Sequence, residues 1–170
     1  MNTLHPSRGG LLTGLLVTGL CLGCGGSDET PEFVKDLVPV TGTVTINGEP
    51  VAGATIRFIP PTGPDARQGA HEAIGITDAQ GKYTLLTSAP RVTHDQSKGA
   101  LPGEYKVVIT RLLASDGKAV PKGTTDADAM AVGAKESLPP RYSDESKSKL
   151  KATVTDSTDP IDFKLTVGSR

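Results

Sequence analysis

From Val38 onward the chain repeats one pattern: apolar residues at every second position, in short runs broken by turn residues. A period of two places alternate side chains on opposite faces of an extended strand, so each run predicts a half-buried β-strand. In Val38-Pro-Val-Thr-Gly-Thr-Val-Thr-Ile46, Val38, Val40, Val44 and Ile46 share one face and Thr41, Thr43 and Thr45 the other. Asn47-Gly48 ends that run with a strong two-residue hairpin signal. Ala54 to Phe58 alternates next and stops at Pro60-Pro61, followed by a strand marked by Ile74 and Ile76 and another at Tyr83 to Leu85. Pro102-Gly103 opens a strand in which Tyr105, Val107 and Ile109 share a face; Leu150 to Val154 and Ile161 to Val167 complete seven. Half-burial implies antiparallel sheets with one wet face, and seven such strands predict an all-β, seven-stranded antiparallel sandwich with Phe58, Ile76, Tyr105 and Phe163 in its interior. The 20 Gly and 13 Pro of the chain agree with a turn-rich β protein. Two stretches resist the pattern and are read as long loops, 88–100 and 112–142, with a short helix expected near Asp126 to Lys135 that Gly133 weakens.

The N-terminus reads as an export signal. Met1 to Arg8 is a short positive region, and Gly9 to Gly23 is an uncharged, Leu-rich run, too short to span a bilayer comfortably but suited to a signal peptide. It ends in Leu20-Cys21-Leu22-Gly23-Cys24, which resembles the lipobox of bacterial lipoproteins, with Cys21 standing where Leu is usual. The resemblance implies cleavage after Gly23 and lipidation of Cys24, hence a signal peptide over 1–23, a lipidated Cys with a polar, flexible tether over 24–37, and a β-domain over 38–170. After such cleavage Cys24 is the one Cys left, so no intrachain disulfide is available. The expected protein is a membrane-anchored envelope lipoprotein, periplasm-facing or on the surface. Gly25 is not an Asp-type inner-membrane retention signal, which leaves the choice of membrane open.

Three further motifs bear on the domain. Val40 to Phe58, with its Gly42 strand, Asn47-Gly48 turn and Pro50-Val-Ala-Gly53-Ala step, resembles the opening of a carboxypeptidase regulatory-like, or transthyretin-like (prealbumin-like), domain. Thr77-Asp-Ala-Gln-Gly-Lys-Tyr83 and Pro102-Gly-Glu-Tyr-Lys-Val107 resemble that family's following turn and strand. The resemblance implies a Greek-key topology and a non-catalytic accessory module. Physical roles agree: Gly53 permits a close bend, Asp78 accepts backbone N–H groups across a turn, Gly81 takes φ > 0, and Tyr83 and Tyr105 bury a ring while their hydroxyls reach backbone.

Chemistry is sparse in this sequence. His71 and His94 belong to no ligand-spaced pair, no Gly-x-Ser-x-Gly elbow exists, and Asp126-Ala-Asp128 lacks the rest of an EF-hand loop. No Lys on the first strand faces an Asn on the last, as an isopeptide crosslink would need. Past residue 23 the charges are 17 positive and 19 negative, without the basic face that nucleic acid requires. The sequence thus predicts no enzyme, no metal and no cofactor, but a monomeric structural or protein-interaction module of the envelope. The alternative is a ligand- or carbohydrate-binding lipoprotein that uses the two long loops. The partner in either case is an envelope protein or a glycan.

Overall fold

The computed structural model describes residues 30–62, 71–121, 123–157 and 159–168; Gly23 and Cys24 lie outside the described residues. The fold is mostly β. Its strands are β1 (Thr41–Ile46), β2 (Glu49–Pro50), β3 (Thr55–Ile59), β4 (Ala73–Ile76), β5 (Lys82–Thr84), β6 (Leu86–Thr87), β7 (Gly103–Thr110), β8 (Leu112–Leu113), β9 (Lys135–Glu136), β10 (Leu150–Val154) and β11 (Phe163–Leu165). The helices are a 3-10 turn at Glu32–Asp36, α1 (Asp126–Ala131) and α2 (Pro140–Ser143). Each of the seven stretches read from alternation holds a strand. The four additional strands are two residues long, too short to show a period.

One sheet has the order β10-β7-β3-β4-β6; a second runs β11-β1-β2, with β5 also on β1; β8 and β9 form a separate ribbon. Pairing is antiparallel except between β1 and β11, where Val44, Thr45 and Ile46 run parallel to Phe163, Lys164 and Leu165. That pair corrects the all-antiparallel expectation. More than a hundred residues separate the two strands, so no tight turn dictates their direction.

The inward faces of both main sheets meet in one apolar core, an arrangement that fits a β-sandwich. Ile56, Phe58, Val107 and Ile109 from the first sheet join Val44, Phe163 and Leu165 from the second. The Phe58 and Phe163 rings meet edge-on at 6.1 Å, a favoured aromatic geometry. Ile76 departs from expectation. On β4 it is Ala73 and Gly75 that face inward, while Ile76 is half-buried and Ile74 is exposed. The reason is volume: a β-carbon at Gly75 would lie 3.1 Å from the Tyr83 ring and 3.2 Å from Leu85, so only tiny residues fit there.

The stretches read as loops contain structure. In 88–100, Ser97, Gly99 and Ala100 are buried; Thr87 Oγ1 donates to Gly99 O (2.8 Å) and Val38 bridges to Ala100. In 112–142 the β8–β9 ribbon carries α1. Thr125 caps that helix by accepting from Asp128 N–H, and Gly133 and Ala134 close it by donating to Met130 O and Ala129 O, a Schellman ending. The two stretches sit at opposite ends of β7, which at eight residues and about 3.3 Å per residue is roughly 25 Å long. Within the stretch read as a tether, the Phe33 ring lies 4.1 Å from that of His71 and Gln96 Nε2 approaches Thr30 Oγ1 at 3.5 Å.

Candidate functional site

The motif residues singled out in the sequence serve the framework. Asn47 and Gly48 both have positive φ, 51° and 91°, and join β1 to β2 by a two-residue turn, the conformation for which Asn-Gly is suited. The Asn47 carboxamide also exchanges two hydrogen bonds with the Val167 backbone, tying the turn to the segment just past β11. Gly42 lies under Tyr83, and a β-carbon there would overlap the Ile161 carbonyl. Asp78 Oδ1 accepts from the N–H groups of Gln80 and Lys82, both at 2.9 Å. Gly81, at φ 72°, donates to Asp78 O, and Gly53, at φ 70°, donates to Thr77 O and abuts Ala119. Gly103 opens β7 with open space where a side chain would stand. The Tyr105 hydroxyl donates to Leu101 O at 2.8 Å. The Tyr83 hydroxyl donates to Ile161 O at 2.6 Å, and burial, reinforced by the Asp162 charge, pushes its phenol well above the ordinary value.

These contacts create a concavity. β4 and the chain after it begin as a hairpin: Asp78 N–H donates to Lys82 O (2.8 Å), and further along Ile74 pairs with Leu86 and Ala73 with Thr87 in the same register. The rung between, Ile76 with Thr84, is missing from the ladder. Ile76 pairs with Thr55 on β3, and Thr84 pairs with Thr41 on β1. The chain therefore crosses to the second sheet at β5, where Tyr83 is drawn to Ile161, and returns to the first at β6. Outside this split hairpin lies an open cavity of about 1050 Å³. Ile74, Ile76 and Leu86 line one wall, and Thr41, Thr43, Lys82 and Thr84 the other.

Of the two long loops, 88–100 contributes Ser88, His94 and Lys98 to this groove, whereas no described residue of 112–142 lines it. Lys98 Nζ lies 2.7 Å from Asp95 Oδ1, and that contact holds the Asp95 carboxyl below its ordinary range. Lys82 makes no ion pair among the described residues. Arg141 and Tyr142 lie elsewhere, at the end of β11: the guanidinium sits 5.0 Å over the Tyr142 ring and donates to Thr166 O, one residue past that strand. The Tyr142 hydroxyl donates to the same carbonyl at 3.1 Å and accepts from Thr166 N–H at 3.2 Å, and its phenol is lowered, chiefly by the Thr166 backbone bond. His71 is at the Phe33 contact, away from His94. Among the described residues no three His, Cys, Asp or Glu side chains gather as a metal site would require, and no helix is long and apolar enough to cross a membrane.

Sequence reasoning missed Ile74, Ile76, Thr84 and Leu86 as an outward surface. A signal was present in Ala73-Ile-Gly-Ile76, where the two tiny residues, not the two large ones, mark the crowded face.

No protein-family model matches the sequence, and no curated protein matches it. Among solved structures, a crystal structure of a 9R-lipoxygenase from Cyanothece PCC8801 aligns with 81% of this chain at 16% identity and a TM-score of 0.33. The chain spans 17% of that protein's length. A likeness at that TM-score carries no argument about fold or activity.

Proposed function

We propose that this chain is an exported, non-catalytic envelope lipoprotein, cleaved after Gly23 and lipidated at Cys24, whose Greek-key, transthyretin-like sandwich presents the split-hairpin groove to a binding partner. The observation that carries the reading is the outward aliphatic wall of Ile74, Ile76 and Leu86 on regular strands. Apolar side chains held outward by a fixed backbone lose little entropy when covered, which suits recognition more than chemistry. The Asp78, Tyr83 and Tyr105 hydrogen bonds, by contrast, go to backbone groups that stabilise the framework. A second reading, small-ligand binding, is favoured by one observation: His94 and Lys98 of the 88–100 loop border the same groove.

The test is made in the producing cell. Intact mass of membrane-extracted protein should show an acylated N-terminal Cys24, and Cys24→Ala should move the chain to the soluble fraction. A photo-crosslinker at Thr84 should capture a partner that the same group at Lys164, on the outer face of β11, does not. An unmodified N-terminus elsewhere would defeat the anchor, and equal capture from both positions would defeat the groove.

A further inference from the structure

The Asn47-Gly48 turn is a reactive pair as well as a conformational one. A carboxamide followed by a glycine can close on itself, because the backbone nitrogen of a residue without a side chain is an unhindered nucleophile. Asn47 and Gly48 are both exposed, and nothing lies within 4 Å of the place a Gly48 β-carbon would take, so side-chain crowding does not block the approach. What restrains the reaction is the engagement of the carboxamide itself. Asn47 Nδ2 donates to Val167 O at 2.9 Å, and Oδ1 accepts from Val167 N–H at 3.1 Å. Both polar atoms are thus held by a segment 120 residues further along the chain. That segment is delivered to the turn by its neighbours. Leu165 O accepts from Asn47 N–H at 2.9 Å, and Thr166 exchanges two bonds with the Tyr142 hydroxyl. Ring closure swings the carboxamide over the Gly48 nitrogen and so sacrifices both bonds to Val167.

We propose that Asn47 is a self-modification site guarded by the segment just past β11: its carboxamide cyclises when Val167 leaves it, and the product grips that segment less well. The bond between the Gly48 nitrogen and Asn47 Cγ forms as the bond from Cγ to Nδ2 breaks. The Gly48 amide proton departs with Nδ2 as ammonia. Water then opens the cyclic imide at one carbonyl or the other, giving aspartate or the β-linked isoaspartate. Only water is consumed, and nothing is oxidised or reduced. Either product lacks the Nδ2 donor and brings a carboxylate oxygen against the Val167 carbonyl, an unfavourable pairing of two acceptors. Isoaspartate also adds a backbone carbon between Ile46 and Glu49, which are register partners, and a two-residue turn has no slack to absorb it. Release of the segment therefore permits the reaction, and the reaction disfavours its return. The inference needs neither the anchor nor a partner in the groove.

The experiment ages the whole chain, as the cell produces it, in mildly alkaline buffer, folded and in urea. Peptide mapping separates asparagine, aspartate and isoaspartate at position 47. Each bond to Val167 holds the carboxamide by about fivefold. The folded chain should therefore react at least about 25-fold more slowly than the chain in urea. Val167→Pro removes the N–H and keeps the carbonyl, and should raise the folded rate about fivefold. Val167→Ala keeps both backbone groups and should leave the rate unchanged. A chain ending at Thr166 lacks both partners and should approach the urea rate while circular dichroism still shows it folded. In the aged, folded chain, hydrogen exchange at Val167 should be faster in the isoaspartate fraction than in the unreacted one. Equal rates folded and in urea, or Val167→Pro and Val167→Ala chains that react alike, overturn the guard. An Asn47 that survives intact in urea overturns the site, and unchanged exchange at Val167 overturns the weakened grip.

Discussion

Gly42→Ala isolates the contact on which the split hairpin rests. A β-carbon at position 42 would overlap the Ile161 carbonyl oxygen and lie 2.9 Å from the Tyr83 ring. Ile161 cannot retreat freely, because its N–H donates to Thr41 O (2.9 Å) while its carbonyl accepts from the Tyr83 hydroxyl (2.6 Å). Overpacking of this kind costs about 1–3 kcal/mol, and each hydrogen bond sacrificed adds roughly 1 kcal/mol. The sum is about 3–5 kcal/mol, and at roughly 3 °C per kcal/mol for a domain of this size the Tm falls by about 10–15 °C. Urea titration followed by circular dichroism should show a lower midpoint with an unchanged slope, the mark of lost stability in an otherwise similar unfolding transition. Gly48→Ala is the control: its φ of 91° is strained for Ala but nothing lies within 4 Å, so the cost should stay near 1 kcal/mol. Combining Gly42→Ala with Tyr83→Phe adds a second check. The first substitution already displaces the carbonyl that Tyr83 binds, so the two effects should sum to less than their separate costs. A Gly42→Ala chain within 1 kcal/mol of the parent, or strict additivity with Tyr83→Phe, would refute the reasoning.

Phenol titration at 295 nm should resolve Tyr142 below the ordinary value near 10 and Tyr83 above it, the two shifted in opposite directions. Because the folded Tyr83 phenol is raised, its contribution is complete below pH 10 and is lost as pH climbs above it, so alkaline unfolding should be postponed in Tyr83→Phe relative to its own neutral stability. Phe58→Ala and Phe163→Ala should each cost about 3–5 kcal/mol by calorimetry or urea titration, since both rings are buried in the shared core. Replacing 114–134 by Asn-Gly should leave the Tm within a few degrees: Leu113 and Lys135 are register partners, and a two-residue turn can close that ribbon. The same treatment of 93–100 should unfold the domain.

The alternation was legible because it is local. Each of the seven stretches carries its own period-2 pattern; β1, β10 and β11 lie within theirs, and β3 and β7 run slightly past theirs. What escaped was decided at a distance. The parallel match of β1 with β11 depends on how residues near 44 and near 163 meet, and neither segment records the other's direction. The inversion of β4 depends on Tyr83 and Leu85, whose bulk reserves the inner face for Ala73 and Gly75. The groove is further removed again: it lies where the chain leaves β4's sheet to pair with β1 at β5 and returns at β6, a crossing that propensity does not encode. Asn47 was readable as a turn residue, but its bonds to Val167 were not.

The positions of the long loops bear on how a lipidated chain would stand. Residues 97–100 pack against Val38 and Leu85 at one end of β7, and Thr30 approaches Gln96 there. The ribbon with α1 stands at the other end, where Arg111 Nε donates to Ala52 O and Glu136 accepts from Arg111 N–H. On the proposed lipidation of Cys24, five residues lie between the anchor and Thr30, a reach of about 20 Å when fully extended. The 88–100 end would then face the bilayer and the ribbon would point away. The groove, on the flank between, would open parallel to the membrane surface. Met130 and Val132, the exposed apolar side chains of the ribbon's helical turn, would then stand at the end away from the bilayer. The two loops that look equivalent in sequence thus have different work: one closes the core beside the anchor, and the other sends 114–134 outward as an arm while its far end returns Leu138 to the core.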